Sequence, residues 1–197
     1  DTVLACIQPI HLHATRDHLV LMHPDHIPLT ATESTALLAE AKPLLQDEFK
    51  AEVIVADPHH WFINPTHFAS LATHSVDQAH GRNIDWWLPK DTVVSGLAKR
   101  WRRIQNEIQM RWHIHPINEA REAQGLPRIN SVWVYGIGRT TDIAYSPELT
   151  NATQMISDLP WMTSIAAQRG IPLLNSESIQ WEHQANNTFV WLKYINK

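Results

Sequence analysis

Apolar and polar residues alternate along residues 10–14 and 18–23, two short arms around the turn-like Thr15-Arg16-Asp17. This period-two pattern predicts a β-hairpin. Thr30, followed three residues later by Glu33, forms a capping box ahead of Leu37, Leu38, Ala41, Leu44 and Leu45. Their spacing is helical, and Pro43 should kink that helix or end its regular part. Residues 51–57 and 60–64 return to strand character on either side of Pro58. Residues 65–90 read as a loop or broken helix. Their apolar group, Trp86, Trp87 and Leu88, is expected to plug the core, with a ligand-stacking platform as the alternative.

A longer helical pattern follows. Asp91 can cap a helix running to about His115, on which Val94, Leu97, Trp101, Ile104, Ile108 and Trp112 share one face and form the buried stripe. The same geometry produces a second stripe. Arg102, Asn106, Gln109 and His113 recur at intervals of four, three and four, with Arg103, Glu107 and Met110 beside them. One reading is a solvated face held by pairs such as Arg103 with Glu107; the other is a row of mixed donors and acceptors that recognises a small polar ligand. Pro116 opens a short helix closed by Gly125, and residues 132–138 form an apolar strand. Residues 142–146 are expected as a strand and 148–169 as a helix interrupted at Pro160. Strands at 171–175 and from 188 onward follow.

These elements predict an α+β or mixed α/β fold, a mixed sheet with N-terminal hairpins and the long central helix packed on it. At 197 residues and 44% hydrophobic content the chain can bury one good core. A single domain over 1–197 is expected, hairpin-rich over 1–90 and motif-bearing over 91–197. A start without Met and a core strand close to the C-terminus are expected of an excerpt from a longer chain.

The net charge of −4 argues against a nucleic-acid surface or an anionic-membrane surface spread over the whole molecule. No apolar run is long enough for a membrane span and no secretory signal is present, so a cytoplasmic protein is expected. Cys6 is the single cysteine, which excludes an internal disulfide and reads as a small buried hydrophobe. Thirteen His and nine Trp exceed ordinary usage. The scattered Trp read as core anchors, and the His make stability sensitive to pH. His11 and His13 share a strand face, but without a carboxylate or Cys at ligand spacing they read as a solvated face and not as a metal pair. Gly136 and Gly138 allow backbone to approach a ligand, and Arg139 beside them can clamp an anion.

The stretch from Asn106 to Arg139 resembles the cofactor-independent phosphoglycerate mutases. The pattern His-Pro-x-Asn, then Arg, Gly and Pro, then Asn-x-x-Trp and Gly-x-Gly is met by His115, Pro116, Asn118, Arg121, Gly125 and Pro127, followed by Asn130, Trp133, Gly136 and Gly138. The stretch is most similar to proteobacterial mutase-like proteins described as regulators of pathogenicity factors, a likeness that extends to the hairpin and to residues 56–61. The resemblance implies kinship with the alkaline-phosphatase-like superfamily, whose catalytic members use two divalent metals and a phosphorylated Ser or Thr. No metal or nucleophile motif of that kind is found here, and Tyr135 stands where many mutases place Arg or Trp. The resemblance therefore implies a mutase-like protein without the phosphoryl-transfer chemistry.

Three functions follow. The first is a regulatory or binding protein that needs no cofactor and recognises a small phosphorylated metabolite or carboxylate through Asn106, Glu107, Gln109, His113, His115, Asn118, Arg121, Asn130 and Arg139. The second is a metal-dependent hydrolase or isomerase with a His-rich site. The third is a structural or protein-interaction domain whose motif residues hydrogen-bond one another.

Overall fold

The spine of the N-terminal region is β1 (Leu4–Ile10), buried along nearly its whole length. The hairpin β2 (Leu12–Ala14) and β3 (Leu19–Leu21) follows it, antiparallel as the alternation predicts. Helix α1 (Ala31–Phe49) opens with the Thr30–Glu33 capping box. Next come β4 (Ile54–Asp57), β5 (His60–Ile63), the single-turn α2 (Val76–Ala79), α3 (Leu97–His113), α4 (Pro116–Ala123) and β6 (Ser131–Gly138). Four of these strands form one antiparallel sheet in the order β4-β5-β1-β6.

The computed structural model describes residues 2–175, 177 and 187–192, and the chain divides into two compact units, residues 1–142 and 143–197. In the first unit, side chains on β1 alternate between the two sheet faces. Ala5 and Ile7, with Trp61, Ile63, Val132 and Val134, join the core formed with α1 and α3. Ile10 and Trp133 belong to a second cluster, which Val76, Ala79 and Ile84 complete. Indole nitrogens tie the helices down: Trp112 Nε1 donates to Leu37 O at 3.0 Å and Trp61 Nε1 to Ser34 Oγ at 3.1 Å.

The second unit holds α5 (Pro147–Asn151), β7 (Gln154–Ser157), α6 (Pro160–Arg169), β8 (Leu173–Leu174) and β9 (Thr188–Trp191). Its three strands are parallel, with β7 in the middle. The fold class is α+β, as expected.

Several local expectations need correction. Of the two outcomes expected at Pro43, an end to the helix is not seen: α1 continues to Phe49, with Leu45 and Phe49 beyond the proline fully buried. Helix α3 starts at Leu97, six residues after Asp91. The left-handed Gly96 (φ 92°) sets its start, and Asp91 reaches in to accept from Gly96 N and Ala98 N, both at 2.7 Å. Val94 consequently lies outside the helix and is 48% exposed, whereas Leu97, Trp101, Ile104, Ile108 and Trp112 are buried as the stripe requires. Trp86 is 72% exposed and plugs nothing; Trp87 and Leu88 alone pack on the second cluster. Residues 143–146 form no strand: Asp142 turns back to accept from Arg139 N, and Ile143 is exposed. Within 148–169, residues 154–157 are a largely buried strand, since Met155 and Ile156 alone give no period that separates strand from helix.

Candidate functional site

The mutase-like motif folds into a corner linking α3, α4 and β6. His115 caps α4, accepting from Ile117 N at 3.2 Å, and Pro116 occupies the first helical position, where its missing N–H costs nothing. Asn118, 1% exposed, donates through Nδ2 to Trp112 O and Ile129 O and accepts from Ile129 N, all at 2.8 Å. Asn130 brackets Leu12, accepting from its N–H at 2.7 Å and donating to its carbonyl at 2.9 Å. The buried Arg121 donates from Nε to Pro127 O and from Nη1 to Pro28 O and Glu33 Oε1, each at 2.8 Å. Four of the nine residues singled out from the sequence are thus engaged with main chain or with a neighbouring element.

Burial pushes the Glu33 carboxyl up, but hydrogen bonds from Thr30 N–H and hydroxyl and from Arg121 outweigh it and hold the group below its ordinary 4.5. Asn106 and Glu107 lie instead on the outward side of α3. There a cavity of about 560 Å³ begins at Gly96 and runs past Lys99, Arg100, Arg102 and Arg103. Asn106, Glu107 and Met110 continue the same wall. The volume falls within the roughly 300–1,000 Å³ of small-molecule sites.

The cations divide into two groups. Arg100 and Arg103 both reach Glu48 on α1, whose side chain is 10% exposed. Lys99 and Arg102 meet no carboxylate among the described residues. Arg103 stands 4.0 Å from Glu107. Gln109 and His113 are exposed on α3 but do not line the cavity. Arg139 is also outside it, and its backbone N–H donates to Asp142 Oδ2 at 2.8 Å, so the strand end after Gly138 holds a carboxylate of its own chain.

The polar row read from helical spacing omitted Lys99, Arg100 and Gly96. Lys99 precedes Arg102 by three residues, so carrying the row back one helical turn would have included it. The Glu48 pairing had no such signal, being a contact between helices roughly fifty residues apart in sequence.

The other reactive groups are quiet. Burial raises the Cys6 thiol to about 11, only partly offset by its hydrogen bond with Tyr135, so it stays protonated at neutral pH. Tyr135 is likewise raised, first by burial. Among the described residues no group of three or more His, Cys, Asp and Glu that could hold a metal comes together. His23 has the richest surroundings, with Asp25, Asp77 and the His80 ring. Both its nitrogens are engaged, Nδ1 accepting from Asp25 N and Nε2 on Asp77 Oδ1, each at 3.2 Å.

No protein-family model matches this chain, and no curated protein matches it significantly. Among solved structures, the cofactor-independent phosphoglycerate mutase from Thermoplasma acidophilum aligns at 15% identity and a TM-score of 0.50, covering 98% of this chain and 56% of that one. A protein from Pyrococcus horikoshii aligns at 13% identity and a TM-score of 0.43, covering 91% and 40%. The chain therefore spans about half the length of the mutase it resembles, and the likeness is one of fold. Among the described residues no helix is long and apolar enough to cross a membrane.

Proposed function

We propose that this chain is a mutase-like binding protein, of the kind found among the proteobacterial regulators, that recognises a small phosphorylated or carboxylate ligand without phosphoglycerate mutase catalysis. The observation that carries this reading is the cavity along α3, where Lys99 and Arg102 lie free of carboxylates among the described residues and Asn106 adds a neutral donor and acceptor. Ligand anions are held by such cations, with Arg offering the forked geometry that phosphates and carboxylates match. Phosphoryl transfer of the mutase type needs metals to activate a nucleophile and offset charge, and the described residues gather no set of ligands for them. The motif corner serves the architecture, with Asn118, Arg121 and Asn130 fixing the α3–α4–β6 junction. Recognition belongs to the opposite side of α3.

The test is thermal stabilisation by inorganic phosphate, phosphoglycerates, sugar phosphates and simple carboxylates. A ligand that binds only the native state stabilises by about 2.7 kcal/mol at a hundred times its Kd. A raised melting temperature that Arg102→Gln abolishes is expected. No shift with any anion, or a shift untouched by Arg102→Gln, overturns the proposal.

A further inference from the structure

We propose that the α3 site takes an anion bearing an apolar arm, with a medium-chain alkyl phosphate as the simplest member of the class. This rests on the anion-binding reading of the same cavity and narrows its ligand. The cavity wall is polarised along the helix. Lys99 and Arg102, which meet no carboxylate among the described residues, supply cationic heads at one end, and Met110 stands at the other, 70% exposed. Arg102, Asn106 and Met110 are spaced by four residues each, so they form a single row roughly 12 Å long. Although four cations line it, most of the exposed surface of the cavity is apolar. An unbranched, polarisable Met adapts its shape to apolar ligands.

Glu107 sharpens the choice. Its carboxylate belongs to the same wall and stands 4.0 Å from Arg103, which Glu48 already engages. A second anionic group on the ligand would meet it there beside a cation that Glu48 already engages. A short dianion charged at both ends also leaves the Met110 end filled with water. One anionic head at Lys99 and Arg102, followed by an uncharged arm of about 10 Å, satisfies both ends and reaches Met110.

The experiment titrates the full chain calorimetrically with inorganic phosphate, butyl phosphate and octyl phosphate below its micelle-forming concentration. Neutral octyl glucoside and phosphatidylglycerol vesicles are run alongside. Each methylene placed against the wall adds about fourfold in affinity, so octyl phosphate is expected to bind at least about tenfold tighter than butyl phosphate. Met110→Ser, which adds no charge, should bring the octyl-to-butyl affinity ratio down toward one, and Arg102→Gln should weaken all three phosphates. Both positions are exposed, and circular dichroism confirms that each variant folds. Equal affinity for the three phosphates overturns the apolar arm and leaves the anion site standing; no binding of any phosphate overturns both. Octyl glucoside binding as tightly as octyl phosphate overturns the anionic head. Vesicle binding without binding of monomeric octyl phosphate overturns the soluble amphiphile in favour of a membrane surface.

Discussion

Replacing Asn118 by Ala separates architecture from recognition in the mutase-like motif. Its side chain satisfies three main-chain groups, the carbonyls of Trp112 and Ile129 and the N–H of Ile129, in a place that water does not reach. A made hydrogen bond contributes about 1 kcal/mol net, but a buried group left without a partner costs about 1–3 kcal/mol. Three stranded groups, partly relieved by relaxation, give an expected loss of about 3–4 kcal/mol, a large share of the roughly 5–15 kcal/mol that holds a domain together. Asn118→Asp should do comparable damage, since it keeps the acceptor for Ile129 N–H but sets an oxygen against two carbonyls. Asn106→Ala, on the exposed cavity wall, should stay within about 0.5 kcal/mol. Urea denaturation followed by near-ultraviolet circular dichroism gives the numbers, with an unchanged m-value confirming that stability alone has moved. A loss below about 1 kcal/mol for Asn118→Ala refutes the reasoning. So does a variant of full stability that no longer responds to an anionic ligand, because Asn118 would then belong to the binding site.

Acid should weaken the first unit through Glu33. Its folded-state pKa is depressed, so its contribution is complete above the ordinary 4.5 and is lost as pH falls through the lower folded value; Glu33→Gln should flatten the urea midpoint across that window. His59 and His11 act in the opposite sense to a paired cation: burial, the leading cause for each, lowers both below 6.5, so the native state binds fewer protons than the unfolded chain. Stability should therefore fall as pH drops through about 6.5, and a double His11→Gln, His59→Gln variant with an unaltered pH profile would contradict this. Thr30→Ala removes the hydroxyl that accepts from Glu33 N at the start of α1 and should cost about 1 kcal/mol, read as a lowered urea midpoint; no change would show that the cap adds nothing.

Much of the helical content was legible because amphipathic helices write their burial into local spacing. The Leu97-to-Trp112 stripe could be assigned without a structure, and so could the Thr30 cap. What misled was context. Pro43 is tolerated because the helix beyond it buries Leu45 and Phe49. Residues 154–157 carry a strand that only its parallel neighbours on either side could select. Trp86 has the composition of a core residue, yet its neighbour Trp87 takes the packed position, receiving Arg82 over its ring at 5.0 Å and His74 at 5.1 Å.

The sequence by itself determined the elements whose signals are local: the capped α1, the two-faced α3, the hairpins, and the left-handed Gly125 closing α4. It also assembled the polar residues of the motif and the polar row of α3 side by side, as one patch. Tertiary structure divided them. Hydrogen-bond partners for Asn118, Arg121 and Asn130 come from residues 28, 33, 129 and 12, brought together only when α1, β2 and the α4–β6 turn converge. The row on α3 was left on the other side, where Glu48 claims Arg100 and Arg103 while Lys99 and Arg102 find no carboxylate among the described residues. The reason is physical: helical periodicity fixes which side chains share a face, but which faces are covered, and by which charges, depends on elements distant in sequence.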